Sequence, residues 1–145
     1  MNGLVVDRAD EESVGDVAEL LERSDLPTDG VRSHPERFYV ARHGGETVGV
    51  GGLELYGQVA LLRSVAVEPS VRGTGFGTAV CGALERRARE RGVETVSLLT
   101  TTAEEFFRGR GYEETARTEV PESIRETEEF SEVCPSTATC FSKSL

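Results

Sequence analysis

The stretch Val65-Ala66-Val67-Glu68-Pro69-Ser70-Val71-Arg72-Gly73-Thr74-Gly75-Phe76-Gly77-Thr78 decides the fold. It passes from a buried strand through a glycine-rich turn into a helix. A turn of this kind leaves several backbone N–H groups aimed at one point, beside the positive end of the helix dipole. That arrangement predicts a site for a pyrophosphate. Gly73, Gly75 and Gly77 let the chain approach an anion without an intervening Cβ, and Arg72 adds a charge that phosphates can use.

Spacing narrows the ligand. A Walker loop requires Gly-Lys-Ser/Thr, and the only lysine is Lys143. A Rossmann G-x-G-x-x-G fails because its third glycine falls at Thr78 or Val80, and because antiparallel strands precede the loop. What remains is R-x-x-G-x-G at Arg72, Gly75 and Gly77.

Upstream, Phe38–Arg42 and Thr47–Leu55 are β-rich runs joined by His43-Gly44-Gly45-Glu46, whose glycines suit a tight hairpin. Val59–Val67 adds a third strand to this antiparallel meander. Leu4–Asp7 reads as a strand, followed by a helix capped by Asp10 and running to Arg23, with Val14, Val17, Ala18 and Leu21 on one face. Leu26-Pro27 breaks it, and the segment to Glu36 is a loop or a short irregular helix. Downstream, Gly75–Arg91 is a helix with Val80, Leu84 and Ala88 inward and Glu85, Arg86, Arg87, Arg89 and Glu90 mostly outward, closed by Gly92. Val93–Thr100 is a strand, parallel to Val59–Val67 because a helix separates them. Ala103–Arg108 is a short helix, Tyr112–Val120 a strand, Pro121–Thr127 a helical turn or two, and Ala138–Phe141 a final edge strand. The pattern is a mixed α/β (α+β) chain, read as one domain over residues 1–145.

Composition excludes other classes. The 26 acidic residues against 16 basic ones give a net charge of −10, which repels nucleic acid and anionic lipid. No apolar run reaches the roughly 18 residues that span a bilayer, and the first ten residues lack the pattern of a secretory signal, so a cytoplasmic location is expected. All basic residues but Lys143 are arginine, a skew that resembles proteins of a salt-rich, halophilic cytoplasm. Cys81, Cys134 and Cys140 show no zinc-ligand spacing, and buried thiols are expected in place of a disulfide or metal site.

The Arg72–Gly77 pattern, directly after Arg63-Ser64-Val65-Ala66-Val67-Glu68-Pro69, resembles the acetyl-CoA motif of the GNAT acyltransferases. The order of elements matches that family over nearly the whole chain. Ala103-Glu104-Glu105-Phe106-Phe107-Arg108-Gly109-Arg110-Gly111-Tyr112 is similar to the family's second signature, A-x-x-F-Y-x-x-x-G-F/Y. Within the family, Ala60–Ser64, Leu98–Glu104, Leu26-Pro27-Thr28 and the tail from Val120 through Phe130 to Cys134-Pro135 resemble the ArsN-type N-acetyltransferases of arsenic-resistance operons. The resemblance implies a central mixed sheet of about six or seven strands, splayed at a cofactor wedge and flanked by about four helices. It implies acetyl-CoA as donor, no metal, direct transfer to the amine of a small molecule, amino-acid-like or arsenical, and a monomer or homodimer. Val65, Ala66 and Val67 would line the pantetheine arm, the amides of Gly73, Thr74, Gly75, Phe76, Gly77 and Thr78 would take the pyrophosphate, and Phe106 would touch the cofactor.

Catalytic residues are less determined. Glu54 is the candidate base, acting through a water, with Arg63, Ser64 and Tyr56 as candidate acceptor-site residues. Arg63 binds the acceptor's carboxylate or else pairs with Glu54 or Glu68. The tyrosine expected as proton donor to the leaving thiolate is replaced by Phe107, and the asparagine expected before the short helix by Thr100. The acid is left unassigned: water suffices for a thiol near pKa 8.5, with Tyr56 and Cys134 as substitutes. His34 and His43 read as exposed, and Arg86 and Arg87 as a solvated face or as contacts for the 3′-phosphate. Two rival functions stay open, a non-catalytic acyl-CoA sensor of the same fold and an arsenite-binding protein using its thiols.

Overall fold

A computed structural model describes residues 3–28, 30–127, 130 and 138–145. Among these, seven strands form one mixed sheet: β1 (Leu4–Arg8), β2 (Phe38–His43), β3 (Glu46–Tyr56), β4 (Val59–Val67), β5 (Thr95–Thr100), β6 (Glu113–Glu114) and β7 (Thr139–Ser144), in the spatial order β1-β2-β3-β4-β5-β7-β6. Four α-helices accompany it: α1 (Val14–Arg23), α2 (Phe76–Glu90), α3 (Glu104–Gly109) and α4 (Glu122–Arg125). None is long and apolar enough to cross a membrane. The chain divides into two compact units, Met1–Leu53 with Ser64–Arg86, and Glu54–Arg63 with Arg87–Leu145, so β3, β4 and α2 each contribute to both.

In the first unit, β1 and β2 pair antiparallel, as do β2 and β3. The β2–β3 hairpin turns on Gly44 (φ 60°) and Gly45 (φ 83°), the conformation that the glycine pair anticipated. Val17, Ala18, Leu20 and Leu21 of α1 pack with Phe38, Val40, Val50 and Ala66. The start of α1 differs from expectation. Asp10 does not cap the helix but organises the turn before it: its Oδ1 accepts the amides of Glu12 (3.0 Å) and Ser13 (2.9 Å), and Ser13 becomes the capping residue. The hydrogen bonds from Ser13 hold the Asp10 carboxyl below its ordinary range.

The end of α1 is a Schellman motif. Asp25 takes φ 56°, its amide reaches the Glu22 carbonyl (3.2 Å), and the Leu26 amide reaches that of Leu21 (2.9 Å). Leu26 packs on the core and Pro27 ends any continuation. The loop that follows resolves near its end into a 3₁₀ turn over Pro35–Arg37.

α2 lies close to β3 because β3 offers glycines there. A Cβ added at Gly51 would sit 2.7 Å from Leu84 Cδ1, and one at Gly49 would meet the Ala66 carbonyl at 3.1 Å and Val80 Cγ2 at 3.3 Å. Val80 and Leu84, four residues apart on one helical face, fill the space above these alternate strand positions. Glu85 departs from the expected outward charge face: it is only 4% exposed.

In the second unit the parallel register of β4 and β5 matches Val59–Leu61 to Thr95–Ser97, while β4 itself continues to Val67. β7 runs antiparallel to β5 from Thr95↔Ser144 to Thr100↔Thr139. It is therefore an interior strand, not the edge strand its position at the chain terminus suggested. The edge is β6, which pairs with β7 for two residues where a strand from Tyr112 to Val120 was expected. The ladder ends after Thr115 donates to the Cys140 carbonyl (2.8 Å), and the chain turns into a 3₁₀ segment over Arg117–Glu119 as Arg117 bonds the Ala138 carbonyl (2.9 Å). Leu61, Leu99, Val120, Ile124, Phe130 and Cys140 form this unit's core.

The Gly51–Leu84 approach sets a test. Gly51→Val is expected to destabilise the protein by about 1–3 kcal/mol through overpacking, seen as a lower urea midpoint. An unchanged midpoint would show that α2 can move away from β3 without loss.

Candidate active site

The loop between β4 and α2 takes the course that its sequence demands. After a 3₁₀ turn at Pro69–Val71 the chain is exposed from Arg72 to Gly75, then enters α2 at the buried Phe76. Gly73 (φ 82°) and Gly75 (φ 93°) occupy left-handed backbone that a side chain would strain, and a Cβ at Gly73 would meet nothing within 4 Å. Gly77 and Thr78 lie in the first turn of α2. The Thr74 hydroxyl donates to the Val71 carbonyl, bracing the turn. Ala79 N to Gly75 O (3.1 Å) is a bond of the helical type, so the amides of Phe76, Gly77 and Thr78 stand in the first turn, where a helix has no carbonyl of its own to offer them. Phe76 is steadied by the His43 ring, 5.3 Å away between centroids. Arg72 turns back along the chain: Nε donates to the Val67 carbonyl (3.0 Å) and Nη2 to Ser24 Oγ (3.3 Å).

Just upstream, Ser64 takes φ 56° in the middle of β4, an uncommon conformation for a residue with a Cβ. Ala60 to Arg63 are buried; Ser64 and Val65 are half-buried, Ala66 buried and Val67 half-buried. The break in the pleat separates the part of β4 that pairs with β5 from the part that leads into the loop. Nothing in the residue types of Arg63-Ser64-Val65 signalled it.

The second unit holds a buried polar cluster at the end of β3. Glu54 is 5% exposed and Arg63 6%. Arg63 Nη1 lies 3.2 Å from Glu54 Oε2, and the Tyr56 hydroxyl donates to Glu54 Oε1. Of the partners left open for Arg63, the structure thus supplies Glu54. Glu68 is engaged by Arg23, at 2.9 Å for Nη2 to Oε2, and that hydrogen bond holds the Glu68 carboxyl below the usual range.

Other candidates fall elsewhere. Phe106 is 37% exposed, and Phe107 is buried edge-on to Phe106 and Tyr112, where a tyrosine hydroxyl would need a partner. The Thr100 hydroxyl accepts the Ala103 amide (3.1 Å) and so prepares α3. His34 is exposed with Nδ1 3.4 Å from Glu36, Arg86 is exposed and Arg87 half-buried. Cys81 and Cys140 are buried without a disulfide, and burial pushes the Cys140 thiol up to about 11. Cys134 lies outside the described residues. Among those described, no three His, Cys, Asp or Glu side chains are grouped as a metal site.

A family model for the acetyltransferase (GNAT) family matches residues 6–112, from β1 through the loop and α3. The chain belongs to the GNAT family. It is 35% identical over 105 residues to an amino-acid acetyltransferase of Mycobacterium tuberculosis, covering 70% of this chain and 57% of that protein. It is 30% identical over 125 residues to an amino-acid acetyltransferase of Ralstonia nicotianae, covering 79% of this chain and 27% of that one. This GNAT chain thus spans well under two thirds of either relative. Among solved structures, a Mycobacterium tuberculosis protein in complex with CoA and NLQ superposes with a TM-score of 0.81 at 25% identity, over 97% of this chain and 99% of that one. N-acetylglutamate synthase of Neisseria gonorrhoeae, complexed with CoA and N-acetyl-glutamate, shares the fold with a TM-score of 0.84 at 20% identity, over 98% of this chain and 35% of that one.

The buried pair gives the expected outcome for its removal. Arg63→Ala removes the guanidinium from the buried Glu54 carboxyl and is expected to cost about 3–5 kcal/mol in denaturant unfolding, while Arg63→Met combined with Glu54→Leu recovers much of that loss. A single mutant as stable as the parent would show that solvent reaches Glu54.

Proposed function

We propose that this GNAT chain is an N-acetyltransferase that moves an acetyl group from acetyl-CoA directly to the amine of an amino acid or similar small molecule. The carrying observation is the loop: glycines in left-handed backbone at 73 and 75, open space where a side chain at 73 would stand, and first-turn amides of a 15-residue helix. These features fit the diphosphate of CoA, an anion that backbone N–H groups and a helix N-terminus bind well. In this reading the amides from Gly73 to Thr78 hold the diphosphate, and the backbone of Val65 and Val67, with Ala66 between them, lines the pantetheine arm. Phe106, an exposed aromatic, is an added contact. The relatives named as amino-acid acetyltransferases support an amino-acid acceptor.

For the chemistry, Glu54 accepts the proton of the attacking ammonium through a water. Both its oxygens are engaged, but a carboxylate has about four lone-pair sites, so a water can join Tyr56 and Arg63 around it. Arg63 sets a full positive charge against this carboxylate and is the side chain suited to an acceptor carboxylate, with Ser64, next in sequence, and Tyr56 as the further acceptor-site residues. A strand N–H stabilises the developing oxyanion, and the thiolate departs without a side-chain acid.

One observation favours the rival sensor reading: Glu54 is tied to Arg63 and Tyr56. Free-thiol release from acetyl-CoA with a panel of amines, including amino acids and an amine-bearing arsenical of the kind the ArsN-like tail suggests, separates the two. Amine-dependent release is the expected result; CoA uptake with no release for any amine supports the sensor. In calorimetry, Gly75→Val is expected to abolish CoA binding in a folded protein, because a β-branched residue resists φ near +90°. Wild-type affinity in that mutant would overturn the loop assignment.

A further inference from the structure

Two adjacent residues at the end of α1 hold the two residues that flank the 3₁₀ turn ahead of the glycine loop. Arg23 grips Glu68 fork to fork, Nη1 to Oε1 at 2.5 Å and Nη2 to Oε2 at 2.9 Å. Ser24 receives Arg72 Nη2 at 3.3 Å, while Arg72 Nε holds the Val67 carbonyl at 3.0 Å. Glu68 is fixed from a third side, since its amide donates to the Val48 carbonyl on β3 (2.8 Å). The platform is itself rigid, because the Schellman motif locks Ser24 to Leu26 against the last turn of the helix.

We propose that Arg72 is a positioning residue, not a phosphate ligand: with Glu68 it clamps the entrance of the loop to the end of α1, so that the amides that follow are preorganised. The proposal rests on the reading of that loop as the CoA site. Its physical basis is the freedom of Gly73 and Gly75, which must be ordered before they can bind an anion. Ordering them in advance removes that cost from binding. A lone exposed pair adds little, and Arg23 and Glu68 are 44% and 25% exposed at their side chains. Here the geometry is bidentate and a second link lies one residue away, the circumstance in which such pairs count. Glu68 is held ionised below its ordinary range by Arg23, so the clamp holds from neutral pH down and is lost only as pH falls through that lowered value.

The test combines CoA calorimetry with amide hydrogen exchange of residues 73–78 in the ligand-free protein. R23A, E68A and R72A are each expected to weaken CoA binding by roughly threefold to tenfold and to speed exchange in the loop. The R23A/E68A double mutant is expected to be no weaker than the worse single mutant, and the swapped pair R23E/E68R to recover part of the loss. If R72A alone weakens binding while R23A and E68A bind and exchange like the parent, Arg72 is a phosphate ligand and the clamp is wrong. If none of the three changes either readout, the clamp is equally wrong. If the parent takes up no CoA, the functional reading falls, and the exchange rates alone decide whether these side chains order the loop.

Discussion

The close approach of α2 to β3 over Gly49 and Gly51 is the constraint from which the first unit's site follows. A helix normally stands off a sheet by the thickness of its side chains. Here two alternate strand positions have none, so Val80 and Leu84 descend almost to the backbone. The start of α2 is then fixed relative to the end of β4, because Gly49 also lies against the Ala66 carbonyl. The chain has only Glu68 to Gly75 with which to join the two. A connection that short, between two elements that cannot shift, must turn sharply, and it does so through left-handed glycines. The result is a row of amides presented by packing, independent of any bound anion.

The second unit solves a different problem. Its buried carboxylate and guanidinium are an unfavourable pair to desolvate, and apolar replacements of similar volume commonly leave a protein as stable or more so. Their presence at the end of β3 is therefore not accounted for by stability alone. Tyr56 adds a donor to the same carboxylate, leaving Glu54 with charge compensation on one oxygen and a neutral hydroxyl on the other. That pairing works against protonation, because a proton on Glu54 takes this counter-charge away from the buried Arg63 guanidinium.

Most of the fold was legible because local rules and tertiary packing agree along it. The hairpin glycines, the apolar spacing of α1 and α2, and the β4–loop–α2 passage each carried one reading, and the structure has each element within a few residues of its expected bounds. The misreadings fall where local pattern and long-range pairing part. Ala138–Phe141 reads as a terminal edge strand, yet its ladder with β5 makes it interior, a pairing between residues far apart in sequence. Tyr112–Val120 has β-forming residues at Tyr112, Thr115, Thr118 and Val120, yet the Arg117 bond to Ala138 redirects it after two paired residues. The site was half legible. Glycine pattern and helix start announce the left-handed turn and the first-turn amides of the loop, since backbone geometry is written in residue type, whereas the left-handed Ser64 and the fold-back of Arg72 depend on partners that no spacing rule names.

The charge of the chain bears on how that loop must work. A net charge of −10 sets a long-range field against any polyanionic ligand, so attraction at a distance cannot carry binding. Beyond a Debye length, about 8 Å at physiological ionic strength, that field is screened, and what remains is local. Backbone amides and a helix end act over hydrogen-bond distances and are insensitive to the sign of the surface, which makes them the suitable device for an acidic protein. An arginine aimed at the phosphates would add short-range attraction, but in this sequence the nearest guanidinium is spent on Val67 and Ser24. In the proposed clamp, rigidity then takes the place of charge: amides held in advance gain most from each hydrogen bond they form.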